Sequence, residues 1–281
     1  MQYWARSTPD KEVSYINILK DTLSIIKPID KIEVSKQETS NRLLEIPLDD
    51  LHFGVAIYKD YESVLKQVVQ IIQSRKWECI FVPFGADLIH CDNFKGETSN
   101  GTYLGEYDFP KAFNDALRFY RELFVECLEN SENVECYYTQ GNHSNTGSWT
   151  LLQTLKTLYP SIKYNDSVGE GEMRKVFHWN KIFIGLTHGD TISKNLSVIK
   201  EIFVEEFLKE YYQSKTKEIH VSHLHHEKET GDVNGCLVRR LPTGVKKDGY
   251  HKKHGWTMSV ERFQIFEYDH NNLKEIHYID R

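Results

Sequence analysis

Five runs of apolar, extended residues in this chain each stop at a small cluster of histidine, aspartate or asparagine. The clusters are PLDDLH (47–52), GADLIH (85–90), TQGNHS (139–144), GLTHGD (185–190) and VSHLHH (221–226). In open α/β sheets, binding sites form outside the carboxyl ends of the strands. Five polar clusters at five strand ends can therefore meet in one place. Asp50 and His52 are expected to face the same way, because residues i and i+2 share a side where a strand ends.

The segments around these clusters read as strand and helix in alternation. RLLEIPL, ECIFVPF (78–84) and VECYYTQ (134–140) are expected strands, as are KVFHW, KIFIGLTH and KEIHVSH. Helical spacing marks residues 61–77, 110–129 starting at Pro110, about 147–158, and 196–213. From residue 235 onward, alternation suggests several antiparallel strands. The pattern predicts an α/β domain with mixed sheets. Residues 10–27 carry Val13, Ile16, Leu19, Leu23 and Ile26 at helical spacing before Pro28, and KIEVSK reads as a strand. We expect residues 1–40 to form a helical extension packed on a main domain of residues 41–281.

Composition narrows the class. The chain has 281 residues, 40% hydrophobic and 27% charged, which suits a globular domain with a sizeable core. No apolar run approaches the roughly 18 residues of a membrane span. The first residues lack the apolar stretch of a secretory signal, so a cytoplasmic protein with no membrane partner is expected. The net charge of −6 argues against a strongly basic nucleic-acid clamp. Five cysteines are scattered without a CxxC, so sulfur ligation of a metal is not expected.

The clusters supply carboxylates (Asp50, Asp87), imidazoles (His52, His188, His223, His225) and an amide oxygen (Asn142). Mixed nitrogen and oxygen donors without thiolate suit Mn²⁺, Fe, Zn²⁺ or Ni²⁺. Seven ligands exceed one ion and fit two, with one carboxylate bridging. The order D-x-H, G-x-D, GNH, H-G, H-x-H resembles the calcineurin-like metallophosphoesterases and runs from Asp50 to His225, over half the chain. The stretch GADLIHCDN with GNHS is similar to the branch common in phage and prophage genomes.

The resemblance implies a four-layer α/β sandwich, two mixed β-sheets flanked by helices. It implies two divalent ions, Mn²⁺ first among the candidates. Asp50, His52 and His225 would hold one ion. Asn142, His188 and His223 would hold the other, and Asp87 would bridge. The implied reaction is hydrolysis of phosphodiesters, in nucleic acid or nucleotides, by attack of a metal-bridging hydroxide. His143 would act as the acid on the leaving oxygen. The sequence departs from the family pattern in three clusters. GADLIH is one residue longer than the usual GD, with His90 where a second acid is expected. Ser144 replaces an acid, and Ser222 replaces a glycine. No metal ligand is lost, but the groups that orient the ligands are altered.

Asp49 reads as a solvated or capping acid, and His220 as pointing away from the ligands. His90 and Asp92 read as supporting or substrate-facing residues, or as plain loop. Asp190 reads as orienting a histidine or as a turn residue. The segment 239–256 holds Arg239, Arg240, Lys246, Lys247, Lys252 and Lys253 against one acid, with His251, His254 and Trp256 among them. It suits a grip on phosphates with base stacking, DNA or RNA being the partner, or else a solvated loop. His90, Arg239, Lys247, His251 and His254 are the candidate substrate contacts. The long loop 91–108 is expected to cap the site or meet a partner chain, and a homo-oligomer is compatible with this. Two other functions stay open: a phosphomonoesterase, and a binding module without catalysis.

Overall fold

In a computed structural model, residues 29, 32, 39–192, 195–225, 227–229, 235–245 and 261–281 are described. The expected helix at 10–27 and strand at 31–36 lie outside them, apart from Ile32. So do Lys246, Lys247, His251, Lys252, Lys253, His254 and Trp256.

Strand β2 (Trp77–Gly85) shows why the chain builds layers. Ile80, Val82 and Phe84 face one apolar cluster, while Cys79 and Phe81 face another. A strand buried on both faces must be a continuous apolar run, and ECIFVPF is one. Its neighbours are β1 (Ser40–Glu45) and β3 (Val134–Thr139), both parallel to it. Pro83 is tolerated in this central strand by register. The even-numbered amides face β3, as Ile80 N and Ala86 N show, so Pro83 lacks a donor only on the β1 side. There β1 has already ended, with Glu45 opposite Phe81.

The first sheet runs β11–β10–β1–β2–β3–β4, with β4 at Lys163–Asn165, β10 at Arg262–Tyr268 and β11 at Leu273–Asp280. The second comprises β5 (Arg174–Trp179), β6 (Ile182–Thr187), β7 (Thr216–Val221), β8 (Lys228–Glu229) and β9 (Leu237–Arg240), in the order β5–β6–β7–β9–β8. Both sheets are mixed. The expected antiparallel tail holds for β10 and β11, whereas β9 pairs parallel with β7.

Between the sheets Phe81 stacks on Phe177, with ring centroids 4.0 Å apart. Outside the first sheet lie α1 (Tyr58–Gln73), α2 (Phe109–Asn130) and α3 (Asn145–Leu158). Asp108 caps α2 by accepting from the Lys111 amide, and Pro110 sits in its first turn. Outside the second sheet lie α4 (Leu196–Glu206) and α5 (Leu208–Gln213). The result is the expected four-layer sandwich. The expected single helix at 196–213 is broken at Phe207, whose φ of −125° and ψ of 41° leave the helical region. The break keeps Phe207 against Phe203 and brings Tyr211 onto Phe183. No described helix is long and apolar enough to cross a membrane.

Candidate metal centre

All five clusters follow strand carboxyl ends: β1, β2 and β3 in one sheet, β6 and β7 in the other. The centre therefore draws on both sheets where their parallel strands finish. Two groups of donor atoms gather there, Asp50 with His52 and His225, and Asp87 with His188 and His223. Within each group the atoms lie within 4.8 Å of one another. A third group joins His52, His90 and His143. Asp50, His52, Asp87 and His188 are each at most 4% exposed.

The backbone does not aim these side chains by strand alternation. Asp50 and His52 do face one group, as expected, but through left-handed backbone (φ 55° and 46°) and not through extended i, i+2 alternation. Ala86, Asp87, His223 and His225 are left-handed too. Among the described residues the only other non-glycine with positive φ is Asn180. Such conformations cost about 1–3 kcal/mol each and persist where surrounding structure imposes them. Here the 50–53 turn is bonded along the 86–88 turn, through Asp50 N to Ala86 O (2.9 Å) and His52 N to Asp87 O (3.1 Å). Gly141 is obligatory, since a Cβ there would lie 2.2 Å from Asp87 Oδ1.

Asp50 Oδ1 is buried without a hydrogen bond, as is Nδ1 of His188. Three imidazole nitrogens surround that oxygen: His188 Nδ1 at 3.8 Å, His225 Nε2 at 3.8 Å and His52 Nε2 at 4.0 Å. These spacings are too long for hydrogen bonds. For His52 and His225 they suit donors that would share an ion with Asp50, while His188 Nδ1 approaches from the neighbouring group. His52 Nε2 and His225 Nε2 also face each other at 3.3 Å. The donor set thus fits a cation. Asp50 Oδ2 is engaged, accepting from the His223 amide at 2.9 Å.

In the second group His188 Nε2 donates to Asp87 Oδ2 (3.0 Å) and to Asn142 Oδ1 (2.9 Å). Burial opposes a charge on His188, yet Asp87 and then Asp50 override it and hold the imidazole at about 9. Burial would also raise Asp87, but His188 and His143 pull it well below the usual carboxylate range. His52 is the opposite case: burial, then the imidazoles of His143, His225, His90 and His188, lower it well below the ordinary histidine value. Burial and His188 likewise lower His223.

His143 sits beside these groups, its ring edge-on to His52 at 4.8 Å. Its amide donates to Asp87 Oδ1 (2.7 Å), and its Nδ1 donates to the carbonyl of His90 (2.8 Å). That bond places the Nδ1 proton and leaves Nε2 for chemistry. The loop at 91–108 packs behind it. Ser99 N donates to the His143 carbonyl (3.0 Å), and Asp92 Oδ1 accepts from Gly147 N (2.7 Å) at the start of α3. Phe94 and Tyr103 on this loop are exposed. Ser144 bonds Ser148 Oγ and the Ile89 amide, so a carboxylate reaches the start of α3 from Asp92 instead.

Several supports were not legible. Thr243 donates its hydroxyl to the Asp50 carbonyl (3.0 Å), and Tyr61 to the Leu51 carbonyl (2.5 Å). Asp49 is not a free surface acid. Ser222 donates to it at 2.8 Å, and burial plus Asp50 push it up to about 7. Arg239 is corrected as a substrate contact: it is 6% exposed, and its Nε donates to Glu218 (2.6 Å) between the sheets. Arg240 is buried as well. Another grouping of Glu267, Glu275 and His277 already meets Arg42 and Arg75 at Glu267, so it is an ion-pair network. The groove between α1 and α2, about 1020 Å³, contains none of the cluster residues.

No family model and no curated protein matches the chain. It is similar in structure to a predicted phosphoesterase from Streptococcus pneumoniae TIGR4, at 11% identity over 84% of this chain and 88% of that one, TM-score 0.37. It is also similar to Vps29 of Chaetomium thermophilum (10% identity, 85% and 96% covered, TM-score 0.41). Vps29 of Entamoeba histolytica, complexed with zinc, is similar at 11% identity, 84% and 96% covered, TM-score 0.42. The two mixed sheets and flanking helices are the architecture that the motif resemblance implies.

Proposed function

We propose that this protein is a two-metal phosphoesterase of the calcineurin-like kind, acting on phosphodiesters in nucleic acid or nucleotides. The observation that carries the reading is the orphaned Asp50 carboxylate oxygen approached by His52 Nε2 and His225 Nε2, beside a second group of Asp87, His188 and His223. Asp50, His52 and His225 would hold one ion; His188, His223 and Asn142 the other, with Asp87 between them. The nitrogen and oxygen donors suit Mn²⁺, Fe, Zn²⁺ or Ni²⁺. Bound ions would supply Lewis acidity to phosphoryl oxygens and an activated water.

The remaining work falls to the chain. His143, with Nδ1 held by the His90 carbonyl, presents Nε2 to protonate the leaving oxygen. Asp87 fixes the backbone of His143 through its amide. The preference for diesters rests on the lysines and aromatics of 246–256 in the sequence, now without Arg239 and Arg240.

The test is hydrolysis of matched p-nitrophenyl diester and monoester with Mn²⁺, alongside the metal content of the protein. Wild type should bind two equivalents and turn over the diester. His143→Ala should keep both ions and lose roughly 10²–10⁴-fold in turnover. Efficient cleavage of the monoester alone would replace the diester reading with a phosphomonoesterase. Turnover indifferent to His143→Ala would remove the catalytic assignment.

A further inference from the structure

His90 stands where the resemblance leads one to expect an acid, and its surroundings give it two tasks. Its carbonyl accepts from His143 Nδ1 at 2.8 Å. Its ring, 7% exposed, places Nδ1 at 3.2 Å from Nδ1 of His52. Tyr107 packs edge-on against the ring at 4.9 Å and holds the imidazole from the loop side.

The chemistry of His52 decides what this contact does. His52 Nε2 is the nitrogen that faces Asp50 and His225. An imidazole that binds a cation through Nε2 carries its proton on Nδ1, and that proton needs an acceptor. The acceptor within reach is His90 Nδ1, which then keeps its own proton on Nε2. Metal-bound histidines usually hand this proton to a carboxylate or carbonyl, and losing the partner costs about 10–100-fold in metal affinity.

Resting on the two-metal reading above, we propose that His90 is a positioning residue for the Asp50–His52–His225 half of the centre. Its side chain sets the tautomer and angle of His52, while its carbonyl sets those of His143. One residue thereby ties a metal ligand to the acid. The side-chain role is separable by mutation, because the carbonyl survives any substitution.

The experiment is zinc titration of the full chain by calorimetry, with a chelator competitor, for wild type, His90→Ala and His90→Asn. Asparagine can place its amide oxygen near the position of the imidazole Nδ1. His90→Ala should weaken one of two sites by about 10–100-fold and leave the other unchanged. His90→Asn should recover most of that loss. Wild-type affinity at both sites in His90→Ala would overturn the proposal. Equal loss in both variants would also overturn it, since a space-filling role predicts that result. Failure of the wild type itself to bind either zinc or Mn²⁺ would instead sink the two-metal reading, so the two failures are distinguishable. Far-ultraviolet dichroism of each variant checks that the fold is retained.

Discussion

Two buried polar clusters lie on, and just beyond the carboxyl ends of, the same two strands. On β1, Glu45 precedes Asp50 by five residues; on β7, His220 precedes His223 by three. In the Glu45 cluster the groups are mutually satisfied. Glu45 meets His220 Nδ1 (2.8 Å) and the Tyr268 hydroxyl (3.0 Å), and Glu218 meets His220 Nε2 (3.3 Å) and Arg239 Nε (2.6 Å). His220 also lies over Phe266, with centroids 4.6 Å apart. In the Asp50 cluster, imidazoles face imidazoles, a carboxylate oxygen is orphaned and the backbone is left-handed. Burial is similar in both, so burial does not separate them. What separates them is whether the described residues pair opposite charges and satisfy every buried polar atom. The first cluster welds the sheets together; in the second, the described residues leave an Asp50 oxygen and a His188 nitrogen without a hydrogen bond.

The largest expected effect comes from breaking the welded cluster. Glu45→Ala leaves the buried Tyr268 hydroxyl and His220 Nδ1 without their acceptor, and should cost roughly 3–5 kcal/mol. Urea unfolding of the metal-free protein measures it. A loss below about 1 kcal/mol would mean that the network contributes no more than a surface pair.

The next effect is a split between two histidines of one interior. Burial opposes charge on both. Glu45 and Glu218 nonetheless hold His220 at about 9, whereas neighbouring imidazoles add to the lowering of His52. In metal-free protein followed by NMR, His220 should stay protonated until pH nears 9, and His52 should stay neutral at pH 6.5. The sign for stability follows. The folded value of His220 lies above the ordinary 6.5, so its contribution is complete below about pH 6.5 and is lost as pH rises through 9. His188, also held at about 9, acts in the same sense. Melting temperature in the metal-free protein should therefore fall between pH 6.5 and 9; a flat profile would contradict both assignments.

The smallest effect sharpens the contrast from the other side. His225→Gly removes an imidazole that faces His52 and relieves a φ of 52°. Metal-free protein should gain about 1 kcal/mol, the strain released being partly offset by the entropy of glycine. With zinc present the order of stability should reverse if His225 is the ligand proposed above. Thermal melts with and without zinc compare the two.

Much of this molecule was legible from residues alone. The apolar run ECIFVPF and the spacing from Pro110 marked β2 and α2, because burial on one or both faces imposes a local period. The break at Phe207 was not legible, since Phe203, Phe207 and Tyr211 keep helical spacing across it and the contact with Phe183 decides. Nor was the parallel pairing of β9, because strand direction depends on a partner elsewhere in the chain.

The site divides in the same way. The sequence by itself determined which donor atoms this protein carries and that each group follows a strand. Those facts reside in short motifs, where chemistry and local period are written together. Only the tertiary structure decided how they are used. It turned Arg239 inward, gave Asp49 to Ser222 and set His90 against both His52 and His143. The physical reason is that hydrogen bonds act over about 3 Å. Residues 38, 53 and 173 positions apart become partners only when strand ends, within one sheet or across both, are brought together.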